Sequence, residues 1–287
     1  MPVRTEVLMG TFVTIDVVAD DADAGAIDRA FAWFHTIETA CTRFDEDSEL
    51  MRLCAPPGRA VAVSDVLFEA IRFAVAVAED TGGACDPTVG AAVAARGVDR
   101  EHRTGRRVRA AVVDERASYR DVIVDEAARA VLLRRPLTLD LGAVAKGLAV
   151  DAAARELAPL VDFAIDAGGD LFLAGHNRHG EPWSVGIRHP RVDGELIETV
   201  RVSNRAVCTS GDYEKAHLVD PRTGASPSRA ASATVLAPNA MLADALATAA
   251  FVLGPAEGIA LLERHGVDGV IYGSDLSRVA TTALARA

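Results

Sequence analysis

The chain has 287 residues, half of them hydrophobic and a quarter charged, which suits one large domain or two small ones. Its formal net charge of −11 argues against a broad nucleic-acid surface or an anionic membrane as partner. An anionic ligand would need a local device, such as a metal or a helix N-terminus, and scarce aromatics beside abundant alanine imply an aliphatic core.

Residues 6–18, EVLMGTFVTIDVV, are rich in β-branched side chains and predict one strand, with Gly10 as a bulge or a close backbone approach. Asp23 to Cys41 predicts a helix whose buried stripe is Ile27, Phe31, Phe34 and Cys41. TRFDEDSEL at 42–50 is a polar turn, in which Phe44 suits either a ligand ring or a satellite core contact. Ser64 caps a helix through Asp80, with Leu67, Ile71, Ala74 and Ala78 inward and Gly82 past its end. The paired glycines of TGGACDPTVG allow backbone to approach a ligand. Residues 91–117 read as a surface loop and as the nearest thing to a seam.

Val122 to Val124 and Ala130 to Leu133 predict a hairpin, and Leu137 to Leu141 a further strand. That strand carries Asp140 and runs through Gly142 into a helix bearing Lys146 and reaching about Leu157. Strand, glycine turn and helix N-terminus can seat a phosphate, although the P-loop pattern is absent and, taken alone, a structural turn is the default reading. Strands follow at Phe163–Asp166, Leu171–Ala174, Trp183–Arg188 and Ile197–Val202. His176, His179 and His189 match no zinc spacing and read as surface residues. After a strand end at Val207–Gly211, HLVDPRTG places His217 and Asp220 before a Pro and Gly turn as acid–base candidates.

A strand at Ala233–Leu236 leads to a helix over Ala240–Leu253, where Asp244 and Thr248 stand four apart on one face. Two such oxygens suit a hard cation like Mg²⁺; the same pattern also suits an ordinary amphipathic helix. Pro255 starts a helix ending near Gly266, and Val270–Tyr272 and Val279–Thr282 form a closing hairpin. Hairpin-linked strands interleaved with helices, without a regular βαβ beat, predict an α+β fold. Cys41, Cys54, Cys85 and Cys208 form no CxxC pair and suit a reducing compartment. With no apolar run of ~18–20 residues and no signal-like start, a cytoplasmic protein without a membrane span is expected.

In order, the motifs are MGT at 9–11, TRFDEDSEL at 42–50, GGACDPTVG at 82–90, DLGAVAKGLAVD at 140–151 and DAGGDLFLAG at 166–175. EPWSVGIRHP at 181–190, CTSGDY at 208–213, HLVDPRTG at 217–224 and ADALATA at 243–249 follow. Together they resemble the ApbE family, the FAD:protein FMN transferases, over nearly the whole chain. The resemblance implies a two-lobed, T-fold-related α+β catalytic unit spanning 1–287 with FAD in a cleft. It implies Mg²⁺-dependent transfer of FMN from FAD to a Thr or Ser hydroxyl of an acceptor protein, releasing AMP. Alternatives are hydrolysis of FAD to FMN and AMP, or flavin binding without turnover.

Carried over by position, the metal ligands are the Ala143 carbonyl, Asp244 and Thr248. Met9, Phe44, Ala84, Cys85, Asp86, Asp140 and Lys146 match FAD-contacting positions. His217 matches the histidine needed for transfer, and Asp220 could orient it or act itself. The chain departs from the family pattern in having Asp166 where Asn is usual, Phe44 where Tyr is frequent, and no lipobox cysteine.

Overall fold

The structure is a computed structural model and describes residues 3–19, 23–55, 57–102, 104–108, 113–211 and 218–285. Where one strand was expected over 6–18, the chain instead reverses. β1 (Val3–Leu8) and β2 (Thr11–Val17) pair antiparallel, with Leu8 opposite Thr11. Met9 at φ 51° and Gly10 at φ 75° supply the two left-handed positions that a type I′ turn requires. A glycine inside an apolar run marks a bulge or a reversal equally well, and here it marks the reversal.

α1 (Ala24–Cys41) buries the expected stripe of Ile27, Phe31, Phe34 and Cys41. The polar turn after it ends in a short helix not anticipated, α2 (Glu49–Cys54), capped by the Ser48 side chain on the Met51 N–H. β3 (Ala60–Ala62) precedes α3 (Asp65–Asp80), where Ser64 accepts from the Leu67 N–H and the four predicted inward residues are buried. α4 (Gly90–Ala95) lies within the stretch read as a loop: six residues, mostly alanine, show too little periodicity to predict it.

β4 (Val122–Asp125) and β5 (Ala130–Leu133) form the predicted hairpin. Leu137–Leu141 is not a strand. Thr138 makes one isolated parallel bridge with Val89, through the Gly90 N–H to the Thr138 carbonyl. The Pro87 carbonyl accepts from the Asp140 N–H, and Pro87 has no N–H with which to extend a ladder.

α5 (Ala145–Leu157), β6 (Phe163–Ala167), β7 (Asp170–Ala174), β8 (Trp183–Arg188), β9 (Leu196–Val202), β10 (Arg205–Gly211) and β11 (Ala230–Ala237) follow close to expectation. α6 (Ala240–Leu253), α7 (Pro255–Arg264), β12 (Asp268–Gly273), β13 (Arg278–Ala280) and a last turn of helix, α8 (Thr282–Ala285), complete the chain.

Two compact units emerge. The first, residues 1–35, 146–215 and 228–287, holds an eight-stranded antiparallel sheet in the order β1-β2-β6-β7-β10-β11-β12-β13. α6 packs on β10 and β11, and the β8–β9 ribbon covers an apolar patch of Leu173, Val207, Leu236, Val270 and Tyr272. The second unit, residues 36–145 and 216–227, holds a three-stranded sheet in the order β3-β5-β4 with α3 against it. Hairpin-dominated sheets with helices on them make this the α+β class that the sequence predicted.

Candidate active site

α6 is apolar on nearly every face, so a charge on it has no route to solvent along its own helix. Asp244 is its one charged residue, buried at 5% exposure. The helix start is held twice: the Asn239 side chain accepts from the Leu242 N–H, and the Asp151 carboxylate of α5 accepts from Ala240 and Met241 at 2.7 and 2.9 Å. Gly147 lets α5 come that close, since a Cβ there would lie 2.6 Å from the Ala240 carbonyl oxygen. The Gly147 N–H donates to the Asp244 carboxylate, and the neighbouring Lys146 ammonium donates to Asp170 at the start of β7. Cys208 of β10 is fully buried beside them, its Sγ 3.6 Å from the Ala240 carbonyl.

The electrostatics of this cluster follow from its burial. Desolvation opposes the Lys146 charge, but Asp170 and Asp244 outweigh it and raise the ammonium pKa above its ordinary value. Burial, then the charge of Asp170, pushes Asp244 up to about 8, against the pull of Lys146 and the Gly147 N–H. Burial likewise lifts the Cys208 thiol well above its usual range. Among the described residues, Asp244 Oδ2 has no hydrogen-bond partner. One turn later, the half-buried Thr248 hydroxyl lies 3.1 Å from Ser210 Oγ at the end of β10.

Elsewhere in the first unit, Met9 occupies the β1–β2 turn. The AGGD turn meets the same hairpin: Gly168, at φ 68°, leaves no room for a Cβ against Thr11. Asp166 Oδ1 accepts from the Gly169 N–H at 2.8 Å, so a carboxylate supplies the acceptor for which an asparagine would otherwise serve.

In the second unit, Phe44 is half-buried with the Arg43 guanidinium 4.2 Å from its ring centre. Arg43 is buried and donates to Asp140 Oδ2 at 2.6 Å and to the Val98 carbonyl at 2.8 Å. Asp140 Oδ1 accepts from the Gly142 N–H at 2.8 Å, bracing the turn that carries Ala143. Ala84, Cys85 and Asp86 are buried. The Asp86 carboxylate holds its loop, accepting from the Thr88 N–H and hydroxyl at 2.8 and 2.7 Å and from the Tyr119 N–H at 3.1 Å.

His217 lies outside the described residues. The turn after it is well held. Asp220 accepts from Arg222 Nε and Nη2 at 2.9 and 3.0 Å, while Arg96 donates to the Leu218 and Gly224 carbonyls and to Ser226 Oγ at 3.1, 2.7 and 2.7 Å.

Two of the predicted residues, Lys146 and Asp244, thus come together, with Asp170 and Asp151 as supports that sequence reasoning missed. Ser210 beside Thr248 and Arg96 on the 218–226 turn were missed as well. Asp170 and Asp151 stand inside quoted motifs, but no spacing rule links them to α6. A cation suits the cluster: a buried carboxylate oxygen lacks a partner, and a hydroxyl follows one helical turn on. No group of three His, Cys, Asp or Glu placed to hold a metal occurs among the described residues. A cation here would therefore take further oxygens from backbone, water or substrate.

The profile of the ApbE family matches residues 9–271. An FAD:protein FMN transferase of Haemophilus influenzae is 31% identical, over 80% of this chain and 73% of its own. One of Treponema pallidum is 32% identical, over 95% of this chain and 84% of its own. Among solved structures, the flavin transferase ApbE from Vibrio cholerae matches with a TM-score of 0.86 at 26% identity, covering 99% of this chain and 98% of that one. The ApbE protein of Thermotoga maritima matches with a TM-score of 0.88 at the same identity and coverage.

Proposed function

The chain belongs to the ApbE family, and from that premise we propose a Mg²⁺-dependent transfer of FMN from FAD to a Thr or Ser hydroxyl of an acceptor protein. The enzyme is a transferase with FAD as its substrate. The observation that carries the metal is the buried, unpartnered Asp244 oxygen one turn before Thr248. Asp244, Thr248 and the Ala143 carbonyl would hold Mg²⁺, which when bound neutralises charge on a pyrophosphate. Lys146, kept protonated by Asp170 and Asp244, binds and orients the same anion. Met9, Phe44, Ala84, Cys85, Asp86 and Asp140 contact the rest of FAD.

His217 takes the proton from the acceptor hydroxyl, a step that general bases speed by ~10²–10⁴-fold. The hydroxyl oxygen bonds to the phosphorus on the FMN side, the P–O bond to the AMP phosphate breaks, and AMP leaves with that electron pair. Asp220, with both oxygens on Arg222, steadies the turn rather than accepting this proton.

Incubation with FAD and Mg²⁺, with and without an acceptor protein, tests the reading. AMP released only with acceptor, together with FMN mass added to a Thr or Ser, is the expected result. Acceptor-independent release marks a pyrophosphatase and no release marks a carrier; either overturns it. We place the enzyme in the cytoplasm, because Cys41, Cys54 and Cys208 are free thiols. Cell fractionation recovering it in a membrane or extracellular fraction contradicts that assignment.

A further inference from the structure

We propose that the open edge of β1 is a self-complementary surface through which a second copy of this chain pairs, antiparallel and centred on Thr5. β1 ends the eight-stranded sheet and pairs only with β2 among the described residues. The two-residue turn makes Leu8–Thr11 a hydrogen-bonded pair, and alternation makes Glu6–Val13 and Arg4–Ile15 the next two. Val3, Thr5 and Val7 therefore aim their N–H and carbonyl groups outward, at the edge. Their side chains share an open face, with Val3 and Val7 each 54% exposed and Phe12, opposite Val7, 69% exposed.

The five residues VRTEV are arranged symmetrically about Thr5, with valine at both ends and opposite charges at the two inner positions. A twofold axis through Thr5 makes Thr5–Thr5 and Val3–Val7 hydrogen-bonded pairs between copies, the parity that the outward groups demand. It sets Arg4 of each copy opposite the partner's Glu6 in the closer, non-hydrogen-bonded positions, where opposite charges attract. Charges on an edge strand ordinarily discourage pairing; in this register they select it. Arg4 and Glu6 already lie side by side at 2.8 Å, with Arg4 also bonded to Asp28 and stacked 4.9 Å from the Phe31 ring centre. Both charges are therefore arranged before a partner arrives. One strand pair buries little area, so the dimer should be concentration-dependent.

Sedimentation of the full chain over a dilution series tests this. The expected result is a shift toward twice the monomer mass as concentration rises. Thr5→Pro removes an outward N–H and should leave a monomer, since an edge tolerates proline on its outer side. Arg4→Glu and Glu6→Arg each set like charges opposite one another and should each weaken the dimer ~10-fold or more. Mixed in equal amounts, these two variants should recover it as a heterodimer, which a merely structural role for either residue does not predict. A native chain monomeric at every concentration overturns the proposal. So does a dimer unmoved by the charge variants, or a mixture that stays monomeric.

Discussion

Asp244 is the buried carboxyl group on which the proposed metal site rests, and its behaviour with pH is open to measurement. Its folded pKa, about 8, lies above the ordinary carboxylate value. Between the two, the folded metal-free protein keeps a proton that the unfolded chain has lost. Stability from this group is therefore lost as pH rises from about 4 toward about 8. Melting temperatures in chelator should show that downward slope for the native chain and not for Asp244→Asn. In Mg²⁺ the slope should flatten, because the cation replaces the proton. Equal slopes for both proteins remove Asp244 as the group responsible. His217→Ala should lose single-turnover transfer by ~10²-fold or more while FAD affinity holds, as expected for a base that does not bind FAD. A parallel loss of FAD affinity would mean the histidine shapes the pocket instead. Arg96 acts one step removed, through the Leu218 and Gly224 carbonyls, so Arg96→Met should lower kcat with little change in the FAD KM. A change in KM alone would place Arg96 in FAD binding.

The start of α6 is fastened to the middle of α5 through Asp151. Asp151→Ala should cost ~1–2 kcal/mol, the usual value of a lost helix cap, read as a lower denaturation midpoint. Gly147→Ala drives a Cβ toward the Ala240 carbonyl and should disturb Asp244 without touching it, lowering activity more than stability. Retained activity in Gly147→Ala would show that the close approach is not what positions the carboxylate. These two helices were legible in the sequence, because the Ala240–Leu253 run is long and the Gly142 turn follows a strand-like stretch. Their mutual fastening was not legible, since Asp151 and Ala240 are far apart in sequence and only the fold brings them together. Asp170 escaped for the same reason: its partner Lys146 sits on another element. The hairpin at Met9–Gly10 and the lone bridge at Thr138 were misread because strand propensity records local β-branching and cannot say whether a neighbour with free N–H groups exists.

Two lobes were expected from the resemblance, but where the chain divides between the two units was hidden for a related reason. Its boundaries fall at residues 35/36, 145/146, 215/216 and 227/228, inside α1 and at the start of α5, rather than in the basic stretch 91–117. None of these points carries a shift in composition. Charge, by contrast, belongs to the whole chain and needs no fold to read. A net charge of −11 repels the FAD pyrophosphate at long range, while in the proposed reaction Lys146 and a bound cation attract it only at close quarters. Added salt screens exposed charges beyond a Debye length, ~10 Å at ~0.1 M, and affects contacts at the buried cluster far less. The association rate of FAD should therefore rise with NaCl at fixed, saturating Mg²⁺, and the dissociation rate should stay nearly constant. Stopped-flow flavin fluorescence measures both. A falling association rate would mean that local positive potential reaches well beyond the Lys146 cluster and steers FAD inward despite the net charge.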